Sequence, residues 1–495
     1  MMSPQVLETP PASASTVASA AAAPPRNYAS LPGPKGIPVF GNALQIKPHR
    51  MHLQLEGWVK EFGPLYKLQL GRRRILVVAD HHAIAGLLRD RPEGFGRSAK
   101  LGEVWEGMGL PTGVFGANGE TWRRQRRMVM AGFDPSHVKR YFPALKEVAQ
   151  RLANRWTRAA RQHADIELQS DLMRYTVDTI AGLAFGAKVN TLESDGDVIQ
   201  KHLDKIFPAI FRRLFAPLPL WRWVRTSADR QLAVSIGEVM AAVNGFVAQA
   251  RERLKAQPEL RENPGNLLEA MIAAADQPDS GMDDKQVAGN VLTMLLAGED
   301  TTANTLAWMI YLLWQNPETL ARATAEVRAV CGDARELTLE QMAQLDYVEA
   351  CANETMRLKP VAPQMGFQTL KDTQIADVRV TRGTVVITVM RHDSVSEIHV
   401  PGAAAFRPER WLGDRDPAMA TQSAKRVSMP FGAGPRICPG RYLALLEIKM
   451  AMATLLGRFD MERVDTPDGQ EPREHLSFTM TPLGLRMRVR EVAAA

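Results

Sequence analysis

Cysteine is scarce in this chain of 495 residues: Cys331, Cys351 and Cys438 are the only three, and no two stand at C-x-x-C spacing. A disulfide framework, a cysteine zinc site and a dithiol redox pair are thereby disfavoured, and the usage fits a reducing cytosol. Long Lys/Arg blocks are missing too, and a formal charge of +7 is small for this length, which argues against nucleic acid as a partner. The first 30 residues lack a basic start ahead of an apolar run; Glu8 is the only charged side chain before Arg26, and the patch at 17–23 is too short and too weakly apolar to span a bilayer. The expectation is a disordered Ala/Pro-rich tail over 1–30 and a single soluble, cytoplasmic domain over 31–495, with no transmembrane anchor.

What is present is ordinary globular composition, 45% hydrophobic and 23% charged, enough to bury a large core. Order is expected to begin at Leu31-Pro32-Gly33-Pro34-Lys35-Gly36, a run that cannot be helix interior. Strand patterns lie at 65–78, around a Gly71-Arg72-Arg73-Arg74 tip, and at 373–389, turning at Arg382-Gly383. Apolar residues recur at helical spacing over 141–160, 235–254 and 442–459. The fold class is therefore mainly α with a small β region. One segment, 284–314, is apolar nearly all round and is opened by Asp283 with Gln286 at capping-box spacing. Its centre reads Gly298-Glu299-Asp300-Thr301-Thr302, and two carboxylates at bilayer mid-depth would cost several kcal/mol. A helix through the middle of a core is the better reading.

Near the C-terminus stands Phe431-Gly432-Ala433-Gly434-Pro435-Arg436-Ile437-Cys438-Pro439-Gly440, followed by an amphipathic helix. The spacing F-x-x-G-x-R-x-C-x-G resembles the heme-binding loop of the cytochromes P-450. Four further strings stand in that family's order: Trp122 and Arg126 as W-x-x-x-R, Ala297-Gly298-Glu299-Asp300-Thr301 as A-G-x-[D/E]-T, Glu354 and Arg357 as E-x-x-R, and Phe406-Arg407-Pro408-Glu409-Arg410-Trp411. The resemblance covers 31–495 and implies the P-450 fold, with heme b (iron protoporphyrin IX) between the long central helix and the cysteine loop.

Carried over residue by residue, the resemblance makes Cys438 the thiolate ligand to iron, a ligand that favours O–O cleavage. Gly432 is expected among the cofactor-binding residues, Gly434 and Gly440 would let the backbone wrap the sulfur, Phe431 would shield it, and amides opening the next helix would hold it as thiolate. Arg436, Trp122 and Arg126 are expected at the heme propionates, and Ala297 beside the heme. Gly298 and the Thr301 hydroxyl would open a bulge over the iron, and Asp300 with Thr301 would relay protons to dioxygen. Glu354, Arg357 and Arg410 are expected as a buried structural cluster. The chain departs from the pattern twice: the place where many members carry a propionate arginine reads Phe367, and His-Arg-Asp reads Arg391-His392-Asp393, which makes His392 a further candidate for the propionates.

The implied activity is that of a monooxygenase inserting one atom of O2 into a lipophilic molecule of fatty acid, terpenoid, steroid or polyketide type. The expected pocket wall comprises Val104, Trp105, Met108, Leu110, Val114 and Phe115 before Trp122, with Leu295, Leu296 and Ala297 from the central helix. Val361, Ala362, Met365, Phe478 and Met480 complete it, and 206–223 would form a greasy lid. No flavin or iron–sulfur segment is read in the sequence, so a ferredoxin or flavodoxin with its reductase is expected to supply electrons, attracted by Arg123, Arg127, Lys425 and Arg441. A peroxide-driven or isomerising heme-thiolate enzyme would need no proton relay, which the Asp300-Thr301 pair argues against. A non-catalytic heme sensor is expected to carry an output domain, for which no segment is read.

Overall fold

The computed structural model describes residues 24–133, 135–187, 189–194, 198–216, 219–332, 334–413 and 424–492. Residues 1–23 of the expected tail lie outside them. Packed structure begins earlier than Leu31: Arg26–Asn27 forms a short strand parallel to Val378–Val380, and the Arg26 guanidinium grips Asp377 at 2.6 Å. The signal was one ion pair between partners 351 residues apart, which no local pattern reveals.

The helix Asp284–Gln315 organises the core. Asp283 accepts a hydrogen bond from the Gln286 amide at 2.9 Å and the Gln286 side chain accepts from the Asp283 amide at 2.7 Å, closing the capping box that the spacing predicts. From Val287 to Leu313 the helix is buried on nearly every face. Its polar centre has a packing reason as well as a chemical one. A Cβ on Gly298 would stand 3.2 Å from Ile180, so glycine admits the helix Leu168–Phe185, whose Thr176 hydroxyl donates to the Glu299 carbonyl at 2.9 Å. The expected bulge is not there. The helix is α-helical throughout, and the Thr301 hydroxyl bonds back to the Ala297 carbonyl at 2.7 Å without breaking it.

The other helical patterns become Pro135–Arg161, Ser227–Ala256 and Arg441–Arg458. By length and composition Ser227–Ala256 is long and apolar enough to cross a bilayer. It is also amphipathic in place, burying Leu232, Val239, Val243, Phe246 and Leu254 in the main core. The β region is a five-stranded sheet in the order Leu65–Leu70, Arg73–Val78, Val385–Val389, Gln364–Thr369 and Phe95–Gly96, with smaller sheets beside it. Arg73 and Arg74, read as hairpin tip, belong to the second strand.

The cysteine helix Arg441–Arg458 packs against the central helix through a polar contact in a dry place. Glu447 is 3% exposed, and burial pushes its pKa up to about 8 although the Thr302 hydroxyl bonds it. A carboxyl with a raised folded-state pKa keeps a proton that the unfolded chain releases from about pH 4.3 upward. It therefore subtracts stability as pH rises towards 8. Glu447→Gln should gain on the wild type in thermal midpoint as pH goes from 5 to 8; a difference that stays constant across that range would refute the assignment.

Candidate active site

The cysteine loop is held by backbone bonds and one obligatory glycine. The Cys438 amide donates to the Phe431 carbonyl at 3.0 Å, and Ile437 N to Gly434 O at 3.1 Å. Gly434 has φ +70°, and a Cβ there would stand 2.5 Å from the Leu88 carbonyl, so only glycine lets the loop lie on the helix His81–Arg89. Gly432 also has positive φ, whereas Gly440 is unstrained and a Cβ there would meet Phe133 at 3.7 Å, an ordinary contact. Close wrapping thus depends on Gly434 and not on Gly440. Phe431 is half-buried.

Of the three cysteines, Cys331 and Cys351 are buried, and burial pushes both thiols up, Cys331 to about 11. Cys438 alone is exposed. Enough protein nevertheless surrounds it for desolvation to raise its pKa, against the Gly440 amide and the charges of Arg126 and Arg441. Accessible surface and desolvation together describe a sulfur at the floor of a recess. The Gly440 amide at the start of the next helix, with Arg126 and Arg441, favours the thiolate, and desolvation opposes it.

Around the recess lie guanidinium groups without acids. Arg126 donates to the Ile437 carbonyl at 2.8 Å. Arg436 donates to the carbonyls of Val114 at 3.0 Å and Ala117 at 2.9 Å and lies over the Trp122 ring at 4.9 Å. A third group was missed in the sequence: Arg97, which donates to the Phe115 carbonyl at 3.0 Å and lies 3.9 Å from that ring's centre. Among the described residues none of the three has a carboxylate partner. Desolvation and mutual repulsion push Arg436 down to about 9, and burial takes Arg97 to about 10. A lone arginine six residues after Arg91 carried no spacing signal. His392 has its Nε2 3.8 Å from Asp393, whose carboxylate accepts from the His81 amide at the start of a helix.

On the central helix, Leu296 and Thr302 are buried while Ala297 is exposed and Thr301 half-buried, so the Ala297–Thr301 face opens to space. Asp300 accepts from the Thr479 hydroxyl and from Asn304, and burial raises its pKa regardless. No direct bond joins Asp300 to Thr301 among the described residues, so a relay between them needs an intervening water. Two further acids, assigned no role in the site from sequence, lie close by. Glu299 is 3% exposed with Oε1 unpaired, and burial with the charges of Asp204 and Asp300 holds it well above the carboxylate range. Asp204 keeps accessible surface but is crowded enough to be pushed up to about 7, Asp300 adding to the effect.

Residues 31–489 match the sequence model of the family described as Cytochrome P450. The chain belongs to the cytochrome P450 family. The protein LUTEIN DEFICIENT 5, chloroplastic, of Arabidopsis thaliana is 27% identical over 88% of this chain and 73% of its own length. The self-sufficient cytochrome P450 monooxygenase CYP505E5 of Aspergillus kawachii (strain NBRC 4308) is 28% identical over 92% of this chain and 43% of its own length. The crystal structure of a mutant heme domain of cytochrome P450DA superimposes with a TM-score of 0.79, at 24% identity, covering 94% of this chain and 98% of that one. This chain thus spans less than half of the self-sufficient relatives it matches. Membership makes the protein a heme-thiolate oxidoreductase of the monooxygenase type, with heme b as cofactor. The residues present fit the group: an open thiol suits the iron, and guanidinium groups lacking acids suit two propionates.

Other expected residues of this P450 divide by surface. Val104, Trp105, Met108, Leu110, Leu295, Leu296 and Met480 are buried, and the Trp105 indole donates to the Pro111 carbonyl at 2.9 Å. Val114, Phe115, Val361, Met365 and Phe478 keep partial surface, and Ala362 is exposed. Phe478 brings an aromatic group together, stacked on Phe207 at 4.5 Å and edge-on to Phe115 at 5.9 Å. On the surface Arg123 is already paired with Glu93 and Glu120, leaving Arg127, Lys425 and Arg441 as exposed bases, of which Arg127 and Arg441 make no ion pair among the described residues.

The structural cluster is assembled as expected and larger. Arg357 forks onto Glu354 at 2.8 and 2.7 Å and donates to the carbonyls of Ser394, Ala403 and Ala405. Arg410 reaches the same carboxylate at 3.2 Å, and the Trp411 indole, which the sequence did not single out for this, donates at 2.9 Å. Glu354 and Arg357 are both 0% exposed. Glu354→Ala would strand two arginines at a cost of about 3–5 kcal/mol. Folded, heme-loaded protein should fall to a small fraction of the wild-type yield, and normal yield with an unchanged urea midpoint would disprove the role.

Proposed function

We propose that this P450 inserts one oxygen atom from O2 into a lipophilic small molecule, with electrons from a separate ferredoxin- or flavodoxin-type donor. The observation that carries the reading is the pairing of an accessible Cys438, ringed by bases, with the open Ala297–Thr301 face of a helix that packs directly on the cysteine helix. Cys438, Arg97, Arg126, Arg436 and Trp122 would hold the heme, which when bound supplies the iron chemistry that activates dioxygen.

The chain's own residues would handle protons and substrate. The Thr301 hydroxyl, donating to Ala297, keeps lone pairs free to accept from a water in the open space. Asp300, with its pKa raised, holds a proton more readily than an ordinary carboxyl and suits it to resupply that water. Phe115, Phe207 and Phe478 offer apolar ring surface that would orient a lipophilic substrate by shape. A cavity of ≈ 990 Å³ mixes apolar Phe40, Ile46 and Phe215 with charged Arg72, Lys100 and Glu103. Exposed Arg127 and Arg441 support docking of an acidic donor near Cys438.

Thr301→Ala should retain heme and electron consumption, with product per electron falling at least about tenfold and free hydrogen peroxide rising in proportion. Unchanged coupling would remove Thr301 from the relay. Cys438→Ala should abolish the thiolate-type carbon monoxide band of the reduced protein, and persistence of that band would overturn the whole assignment.

A further inference from the structure

Arg91 is a buried cation with no acid partner among the described residues. It is 4% exposed, and its Nε and Nη2 have no hydrogen-bond partner. The acids nearest in sequence are engaged elsewhere, Asp90 with Lys371 at 3.6 Å and Glu93 with Arg123. Desolvation, with the charges of Arg97 and Arg436, pushes Arg91 down to about 8, so it stands among the bases of the heme recess. Its guanidinium lies 4.7 Å from the centre of the Phe367 ring. A cation–π contact returns less than it costs to strip a guanidinium of water, so the stack alone does not account for a charge in this place.

Phe367 is 0% exposed on the strand Gln364–Thr369, at the position where the sequence resemblance expects an arginine for a heme propionate. The missing cation and the unpartnered one therefore meet at one point. We propose that Arg91 is a propionate anchor of this P450, taking from the loop after His81–Arg89 the place of the arginine absent at position 367, with the Phe367 ring as the face that orients its guanidinium. This rests on the heme site proposed above. The free Nε and Nη2 edge is the one that can fork onto a carboxylate.

The test uses holoenzyme and follows heme transfer to excess apomyoglobin by absorbance, alongside the reduced carbon monoxide spectrum. Arg91→Gln should release heme about tenfold faster while the thiolate band keeps its position, because Cys438 is untouched. Arg91→Lys, which keeps charge but loses the fork, should fall between. The deciding variant is Arg91→Gln with Phe367→Arg, which returns a guanidinium from the strand side. Recovery to within about threefold of the wild-type rate supports the anchor. A double variant as leaky as Arg91→Gln, or Arg91→Gln as retentive as wild type, overturns it. If Arg91→Gln yields too little holoenzyme, Arg91→Lys and the double variant decide by the same comparison. Wild-type protein that carries no heme would sink the underlying site reading instead, an outcome none of the variant results can mimic.

Discussion

Positive charge without its counterion is the constraint to which the rest of this structure answers. Arg97, Arg126 and Arg436 are desolvated around one recess, each spending donors on carbonyls and none on an acid. Elsewhere among the described residues buried cations do find acids. Arg357 finds a carboxylate and three carbonyls, and Arg391, 6% exposed, forks onto both Glu56 and Glu474. The contrast is within one molecule, so it does not arise from a general tolerance of unpaired arginine. Groups left this way are poised for an anion that arrives from outside the chain, and a dianionic porphyrin bound through sulfur is such an anion.

The satisfied networks explain why the recess keeps its shape while carrying that charge. Glu354 ties the helix Asp346–Leu358 to the segment 401–411 through Arg357, Arg410 and Trp411. Glu474 ties a late strand to the first helix through His52 and to the 390s through Arg391. Its carboxyl is held far below the usual range by these donors despite burial. Neither network lends a carboxylate to Arg97, Arg126 or Arg436 among the described residues.

Legibility from sequence followed the range of the interaction. The central helix was readable because its cap, its length and its apolar faces are all local, and the Asp283–Gln286 box formed as spaced. The cysteine loop was readable because several chemical requirements fall within ten residues, and Glu354 with Arg357 because they are one helical turn apart. Arg97, Asp204 and the Trp411 indole were not readable, since each acquires meaning only from partners far along the chain. The bulge at Gly298 failed for a different reason. Glycine there is explained by the approach of Ile180, a packing demand that leaves the same residue in the sequence as a helix defect would.

The acids of the distal side bear on how protons reach the open face of the central helix. Asp300 is committed to Thr479 and Asn304 and makes no direct bond to Thr301. Its neighbour Glu299 is buried and favours its neutral form, and Asp204, pushed to about 7, changes charge near neutrality. Deprotonating any one of the three raises the cost of deprotonating the others, because like charges in a dry place repel strongly. Near pH 7 the group therefore retains exchangeable protons that an isolated solvent-exposed aspartate would have lost. On the proposed reading, crowding these acids together would keep a proton near Thr301, opposed at Asp204 by the charge of Lys205.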